Sequence, residues 1–260
     1  MEWCRAEDYR RMSEQGAARI YDAVVSGAEG GRRFNLGLAT GNTMLGLYEL
    51  LAGKLNRDRV ELRNLHTYNL DEYVGSDGTA VGESHPLSYR RYMEQNLFAA
   101  LDPALGFRPE QAHFPDPLDP ATFDRDLAAA GGLDFQLLGV GFNGHIAFNE
   151  PIPADEISIA AFAALPSRVI TLKELTIETN SRLTAGNDSA LVPRQAVTMG
   201  MAQILAAKEI LLLACFPEQV VPLQSMLHGA PTPALPASYL LAHRHAAVVY
   251  TADTIALDMP

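Results

Sequence analysis

The sequence alternates short apolar segments with longer segments of helical period, and this alternation constrains the fold more than any other feature. A chain that repeats strand and helix in this way builds a largely parallel sheet with helices on both faces. The run at 134–141 is nearly all apolar, which is typical of a strand buried on both faces. We therefore predict an α/β fold, with strands at 34–39, 65–70, 134–141, 168–172, 209–216 and 245–252.

Helical periodicity fills the segments between these strands. Proline in a first turn is compatible with a helix start, so the segment that begins at Pro193 is predicted to be helical. No linker rich in Gly, Ser or Pro separates two parts of the chain, so 1–260 is predicted to be one domain. The remaining predicted helices are 1–25, 44–55, 87–101, 121–132 and 217–229.

The charge and cysteine content exclude several classes of protein. Twenty Lys and Arg against 31 Asp and Glu give a net charge of −11, which disfavours nucleic acid as a partner. The apolar run 210–216 is far shorter than the ~18 residues that span a bilayer, so no membrane partner is expected. Cys4 and Cys215 lie far apart in the sequence and indicate neither a disulfide framework nor a cysteine zinc site. Together with an N-terminus unlike a signal peptide, they favour the cytoplasm.

The loop after the first predicted strand has features of an anion site. In a parallel sheet, ligands bind at the carboxyl ends of the strands. Thr40, Gly41, Asn42 and Thr43 form a small-residue turn before a helix, where backbone N–H groups and Thr hydroxyls suit a phosphate. The alternative is an ordinary helix cap. The turn is not a P-loop, because no Gly-Lys-Ser/Thr follows it.

The loop after the second predicted strand contains two adjacent carboxylates, Asp71 and Glu72. Neighbouring side chains on an extended chain point in opposite directions, so at most one of them enters a shared site. Asp71 is the better candidate for a general base, because it lies directly at the strand end. The alternative is a solvent-exposed acid, as most acids are.

The third loop, 139–151, is rich in glycine and contains an imidazole. Its glycines formally match a dinucleotide fingerprint, but Pro151 arrives too early for the long helix that such a site requires. A histidine held by a carboxylate can move a proton between substrate oxygens near neutral pH. His145, with Asn143 and Glu150, is therefore a candidate for acid–base chemistry.

The other histidines suggest no metal site. None lies in an HExxH pattern or at a spacing that pairs it with cysteine, so no metal is assigned. A GxSxG nucleophile motif is also absent from the sequence.

Taken together, the strings LGLATGNT, NLDEYVG followed by HPLSY, and GVGFNGHIAFNEP resemble the glucosamine-6-phosphate deaminase (isomerase) family. TNSR around Arg182 and VPRQAVTMGMAQIL extend the resemblance over nearly the whole chain. The resemblance implies a single Rossmann-like domain of the NagB/RpiA/CoA-transferase type. It also implies an enzyme that converts glucosamine 6-phosphate and water into fructose 6-phosphate and ammonia.

The resemblance implies a role for each matching residue. His145, oriented by Asn143 and Glu150, would open the sugar ring, and Asp71 would move a proton from C2 to C1. The phosphate would be held by the turn Thr40, Gly41, Asn42 and Thr43 and by Arg182, whose planar guanidinium suits a phosphate. No metal or organic cofactor is implied.

Three positions depart from the family pattern. Asn143 stands where many members have Asp, and an amide can orient a ring without supplying charge. Gln219 aligns with a phosphate-binding Lys and is retained as a substrate-binding candidate, although loss of that cation costs about 1.5–3 kcal/mol. Ile170 aligns with a Lys of the allosteric site of some members, which argues against activation by an N-acetyl sugar phosphate.

Three alternatives stay open at this point. The galactosamine configuration is one, because no motif marks the residues that contact the sugar C4 hydroxyl. Lactone hydrolysis with His145 as base is the second, although Asp71 would then have no proton to move. A catalytically silent sugar-phosphate sensor is the third. The family contains monomers and homo-oligomers, so the sequence leaves the oligomeric state open.

Overall fold

The centre of the protein is a seven-stranded sheet in which every pair of neighbouring strands is parallel. The computed structural model describes residues 1–259. The strands of this sheet are β1 (Glu2–Ala6), β2 (Phe34–Leu38), β3 (Leu65–Asn69), β5 (Ala112–His113), β6 (Phe135–Gly139), β9 (Glu209–Ala214) and β10 (Ala246–Thr251). Their spatial order is β1-β10-β9-β6-β2-β3-β5. The predicted α/β fold with a largely parallel sheet is confirmed.

A second, smaller sheet is antiparallel and lies next to the carboxyl end of β3. It contains β4 (Asp71–Val74), β7 (Arg168–Thr171) and β8 (Gln195–Thr198), in the order β4-β8-β7. Only Leu70 separates β3 from β4, so the chain passes from the main sheet into the second one at this point. Asp71 is thereby fixed at the carboxyl end of β3, opposite Thr198 of β8.

Eight α-helices connect and cover the strands of the described chain. The first is preceded by Asp8, whose side chain accepts a hydrogen bond from the Arg11 amide at 2.8 Å, as expected for an N-cap. It buries an apolar face that includes Met12 and Ile20. The helices are α1 (Tyr9–Glu29), α2 (Leu45–Arg57), α3 (Tyr89–Asn96), α4 (Pro120–Ala129), α5 (Ile159–Ala163), α6 (Glu174–Thr184), α7 (Met201–Leu205) and α8 (Val220–Leu227). Among residues 1–259, no helix combines the length and apolar character that crossing a membrane requires.

Two helix predictions were wrong in part. The first residues of 1–25 form β1, an edge strand whose partner is β10. The segment that starts at Pro193 enters strand β8, and the next helix begins only at Met201. The strand predicted at 168–172 is present as β7, but it belongs to the antiparallel sheet. In each case pairing with a distant strand overrides the local pattern.

Candidate active site

A cavity of about 420 Å³ lies at the carboxyl ends of β2, β3, β6 and β9, which are consecutive in the sheet. Residues from all three predicted loops line it, and α6 contributes further lining residues. Of the ten predicted site residues, eight line this cavity: Thr40, Gly41, Asn42, Thr43, Asp71, Asn143, His145 and Gln219. Glu150 lies behind the cavity wall, and Arg182 lies outside the lining.

The turn at 40–43 is held by hydrogen bonds from two tyrosine side chains. Gly41 has a φ of 110°, a left-handed conformation that a side chain would strain, and its carbonyl accepts a hydrogen bond from Tyr92 Oη at 2.7 Å. Tyr9 Oη donates to the Asn42 carbonyl at 3.1 Å. The first N–H groups of the following helical turn have no partner within the helix. The cavity therefore has a rigid turn that can donate several backbone hydrogen bonds to an anion.

Asp71 is a buried carboxylate at the cavity wall, with 7% of its surface exposed. Its Oδ1 accepts a hydrogen bond from the Phe148 amide at 3.1 Å. Burial raises the pKa of Asp71 to about 7, although hydrogen bonds from Thr198 and Phe148 and the attraction of His145 oppose the rise. A carboxylate that titrates near neutral pH is well suited to accept and return a proton.

The neighbouring carboxylate, Glu72, points to the opposite side of β4, as expected for adjacent residues of a strand. It accepts hydrogen bonds from the amides of Tyr73, Tyr89 and Arg90, each at 2.9 Å. Ser88 Oγ donates a fourth at 3.0 Å. Glu72 thus fastens the start of α3, and Asp71 is the carboxylate left to face the cavity.

His145, Asn143 and Glu150 form a connected group. The Glu150 Oε2 atom lies 3.5 Å from His145 Nδ1, which is within ion-pair range but at the outer limit of a hydrogen bond. Asn143 Nδ2 donates to Glu150 Oε2 at 2.7 Å, and Asn143 Oδ1 accepts from the His145 amide at 3.1 Å. Asn143 therefore links the loop backbone at His145 to the Glu150 carboxylate.

Glu150 is kept ionised by its surroundings. Burial favours its neutral form, but the interaction with His145 and hydrogen bonds from Thr176 and Asn143 outweigh burial and lower the pKa to about 2. The Thr176 Oγ1 contact measures 2.6 Å. Glu150 therefore places a negative charge 3.5 Å from the His145 ring.

Two backbone features place the third loop. The His145 ring lies directly against Gly141, where a Cβ atom would come within 2.3 Å of the ring carbon Cε1. Ala147 has a φ of 50°, an uncommon conformation for a residue with a side chain. The amide of the next residue, Phe148, is the one directed at Asp71. Backbone strain of this kind is concentrated at functional sites.

The side-chain amide of Gln219 forms hydrogen bonds with the backbone of two loops. Its Oε1 accepts from the Cys215 and Phe216 amides, both at 2.8 Å, and its Nε2 donates to the Val140 carbonyl at 2.7 Å. The residue is 2% exposed. These bonds join the loop after β9 to the loop after β6. A contact between Gln219 and substrate stays a prediction, and one N–H of the amide is left for it.

Arg182 lies on α6 at the edge of the site. Its Nη2 is 2.7 Å from Glu218 Oε1, and its guanidinium carbon is 5.7 Å from the ring centre of Phe142, which does line the cavity. About half of the Arg182 side chain is exposed. Within the part of the chain that the structure describes, no Lys or Arg lines the cavity. The candidate phosphate-binding cation is therefore outside the cavity, paired with a carboxylate.

Sequence motifs did not reveal several lining residues. Tyr73, Tyr89 and Phe148 form an aromatic wall, with ring centres 5.0–5.9 Å apart. Asn180 Nδ2 donates to Tyr73 Oη at 2.7 Å, and burial raises the pKa of Tyr73 to about 12, so this phenol is neutral. Both tyrosines lie in segments that resemble the family, NLDEYVG and HPLSY, but an aromatic residue alone does not indicate a site. No group of three or more His, Cys, Asp or Glu in residues 1–259 could hold a metal ion.

Comparisons with known proteins identify the family. No family model matches the chain. Glucosamine-6-phosphate deaminase 2 of Bacillus subtilis (strain 168) is 35% identical over 251 residues, covering 94% of this chain and 92% of the relative. The glucosamine-6-phosphate deaminase of Rhodopirellula baltica is 36% identical over 252 residues, covering 95% and 92%.

Solved structures agree with these sequence relatives. A monomeric glucosamine-6-phosphate deaminase, described as a missing link of the NagB superfamily, superposes with a TM-score of 0.85 at 29% identity and 98% coverage of both chains. A 6-phosphogluconolactonase from Trypanosoma cruzi has a TM-score of 0.71 at 15% identity, covering 96% of this chain and 94% of the other, and so shares the fold alone. The sequence relatives, at more than 30% identity over nearly their whole length, show that this chain belongs to the glucosamine-6-phosphate deaminase family.

Proposed function

We propose that the protein converts glucosamine 6-phosphate and water into fructose 6-phosphate and ammonia. The observation that carries this proposal is that one cavity contains both a buried carboxylate that titrates near neutral pH, Asp71, and an imidazole with its own carboxylate partner, His145. An aldose–ketose conversion needs two such groups. One moves a proton between oxygen atoms to open the ring, and the other moves a proton between carbon atoms.

Ring opening is the first step. The His145 imidazole takes the proton of the C1 hydroxyl and delivers a proton to the ring oxygen, which releases the open-chain aldehyde. The ionised Glu150 stabilises the imidazole while it carries the extra proton. Asn143 holds Glu150 in place through the 2.7 Å hydrogen bond, so its amide needs no charge of its own.

Proton transfer between carbons is the second step. Asp71 removes the proton from C2 while the C1 oxygen takes up a proton released by the substrate ammonium group, which gives an enolamine across C1 and C2. Asp71 then returns its proton to C1. The product is an imine at C2; water adds to this carbon and ammonia leaves, which completes the ketose. The substrate nitrogen supplies the electron-rich enolamine, so the scheme uses no metal or organic cofactor. The pKa of Asp71 near 7 makes it a stronger base than an ordinary carboxylate.

The turn at 40–43 is proposed to bind the phosphate with backbone N–H groups at the start of the helical turn. Thr40 and Thr43 add hydroxyl donors at the same place. Arg182 would reach the phosphate only after leaving Glu218. The net charge of −11 therefore allows an anionic ligand, because the donors are local.

Asp71 favours this reaction over the alternatives. Lactone hydrolysis has no carbon-bound proton to move and leaves Asp71 without a role. A silent sensor has no need of a base whose pKa lies near 7. We further propose a monomer, because the superposed deaminase is described as monomeric. A cytoplasmic location fits Cys4 and Cys215, which are both free thiols.

The test is incubation of the purified protein with glucosamine 6-phosphate while ammonia and fructose 6-phosphate are measured. We expect the two products in equal amounts. Asp71→Asn should lower turnover at least ~10²-fold, the usual cost of a lost general base, while substrate still binds. Galactosamine 6-phosphate and 6-phosphogluconolactone are the comparison substrates. Preferential turnover of either would overturn the assignment.

A further inference from the structure

Thr198 has a buried hydroxyl that the reaction described above does not use. The residue is fully buried at the end of β8, directly opposite Asp71 of β4. The amide of Phe148 lies between the two side chains, 3.1 Å from Asp71 Oδ1 and 3.0 Å from Thr198 Oγ1. One N–H group is therefore shared by the carboxylate and the hydroxyl, which holds the two side chains together.

The hydroxyl hydrogen of Thr198 has two acceptors within reach. One is the Met199 carbonyl, at a long 3.4 Å. The other is the Asp71 carboxylate, which lies opposite Thr198 in the β4–β8 pair and shares the Phe148 amide with the hydroxyl. A hydrogen bond to an ionised group is shorter and stronger than one to a neutral carbonyl. We therefore expect the hydroxyl to donate to Asp71 when the carboxylate is ionised and to Met199 when the carboxyl group is protonated.

Other groups around Asp71 act independently of this hydroxyl. Glu72 opposes the ionised form, but its own carboxylate is held by four donors at the start of α3. His145 favours the ionised form across the cavity. Tyr73 and Tyr89 are neutral, since burial raises the pKa of both.

Arg168, the charged residue of β7 in the antiparallel sheet, forms its hydrogen bond away from Asp71. Arg168 of β7 lies opposite Thr198, and its Nη1 donates to Asn149 Oδ1 at 2.8 Å. Thr198 is thus the side chain that can be changed without removing any charge around the base.

We propose that Thr198 is a positioning residue for the general base, keeping the Asp71 carboxylate directed into the cavity and ionised at the pH at which it must accept the C2 proton. The left-handed turn at Ala147 completes the arrangement, because it directs the Phe148 amide at both partners. This inference rests on the proposed function, since it assigns Asp71 the part of the base.

The test compares Thr198→Val, which removes the hydroxyl at nearly constant shape, with Thr198→Ser, which keeps it. The pH dependence of kcat/KM is measured for both variants. For Thr198→Val we expect the acidic limb to move up by about one to two pH units, the order expected for a lost hydrogen bond to a charged group. In Thr198→Ser, which keeps the hydroxyl, the acidic limb of kcat/KM should return to its wild-type position. A lower kcat with an unmoved limb in Thr198→Val would show that the residue is only structural.

A direct titration separates this inference from the assigned reaction. Carbon-13 NMR of the aspartate carboxyl groups, with Asp71 identified from Asp71→Asn, reports the pKa of Asp71 without any substrate. A rise in that pKa in Thr198→Val supports the inference even if glucosamine 6-phosphate is not turned over, in which case only the proposed function fails. Turnover with an unchanged Asp71 pKa overturns the inference and leaves the function intact. Thr198→Ala is the second hydroxyl-free variant if the valine form does not fold, and the same rise is expected.

Discussion

Asp71→Asn is expected to stabilise the folded protein at alkaline pH. A pKa of about 7 in the folded state, against 3.8 for the unfolded chain, corresponds to about 4 kcal/mol at 1.36 kcal/mol for each pKa unit. Because the folded value is the higher one, this contribution to stability is fully present below pH 3.8 and is lost as the pH rises through 7. The wild-type protein therefore loses stability from this group between these pH values.

Asparagine at position 71 is close in shape to the protonated carboxyl group and carries no charge to desolvate. Its side-chain oxygen can still accept the hydrogen bond that the Phe148 amide gives to Asp71. The variant therefore removes the unfavourable burial of charge while it keeps the packing of β4 against β8. Activity should be lost at the same time, because an amide cannot take the C2 proton.

The assay is urea unfolding of both proteins at about pH 4.5 and pH 8.5, with equal m-values as the check that the two transitions are comparable. We expect the stability advantage of the asparagine variant to grow by about 3 kcal/mol between the two pH values, following the linkage of ionisation to folding. An advantage that does not change with pH, or a variant less stable than wild type at pH 8.5, would refute the reasoning.

Glu72 provides the matched control, since it is the adjacent residue of the same strand and equally buried. Its carboxylate has four hydrogen-bond donors, so Glu72→Gln places an amide N–H group against donors. We expect this variant to be destabilised by about 1–3 kcal/mol, the cost of hydrogen bonds lost from a charged group. The two neighbouring changes should thus have opposite signs.

Three further outcomes are expected. Gly141→Ala should lower kcat at least tenfold in steady-state assays, because its Cβ would lie 2.3 Å from the catalytic imidazole and displace the ring, while circular dichroism should show the fold unchanged. Glu218→Gln should lower KM by up to about fivefold, as expected for freeing Arg182 from an exposed ion pair. Glu178→Gln, which removes a charge from the same helix as Arg182, should leave KM unchanged. Burial and the nearby Arg33 and His113 lower the pKa of His66 to about 4, so its contribution to stability is present above pH 6.5 and is lost as the pH falls through 4. His66→Asn should therefore reduce the loss of melting temperature between pH 6.5 and 4, and an unaltered loss would exclude this residue as the cause.

The strands and loops that form the site could be predicted from local sequence. Strands such as β6 and β9 are apolar runs that need burial on both faces, and a helix between parallel strands places their carboxyl ends on one edge. The three loops predicted to form the site follow β2, β3 and β6, which are neighbours in the parallel sheet. Their meeting in one cavity therefore follows from the topology.

The remaining features depend on contacts between residues far apart in the sequence, which a local pattern does not reveal. β1 carries Glu2 and Arg5 and is half exposed, so its pattern does not distinguish a strand from the start of a helix. The antiparallel sheet forms because β4, β7 and β8 meet at the end of the main sheet, and each is only four residues long. The pairing of Arg182 with Glu218 and the bonds of Gln219 likewise depend on contacts between separate elements.

The position of β1 has a consequence for how the protein folds. Its partner in the sheet is β10, with Glu2 opposite Ala247, so β1 pairs with a strand that lies more than 200 residues further along the sequence. Contacts between such distant residues are costly to close and form slowly. During synthesis, residues 2–6 leave the ribosome well before residues 246–251, and they can pair only after those residues have followed. We expect the edge of the sheet at β1 and β10 to be the final part of the protein to become ordered.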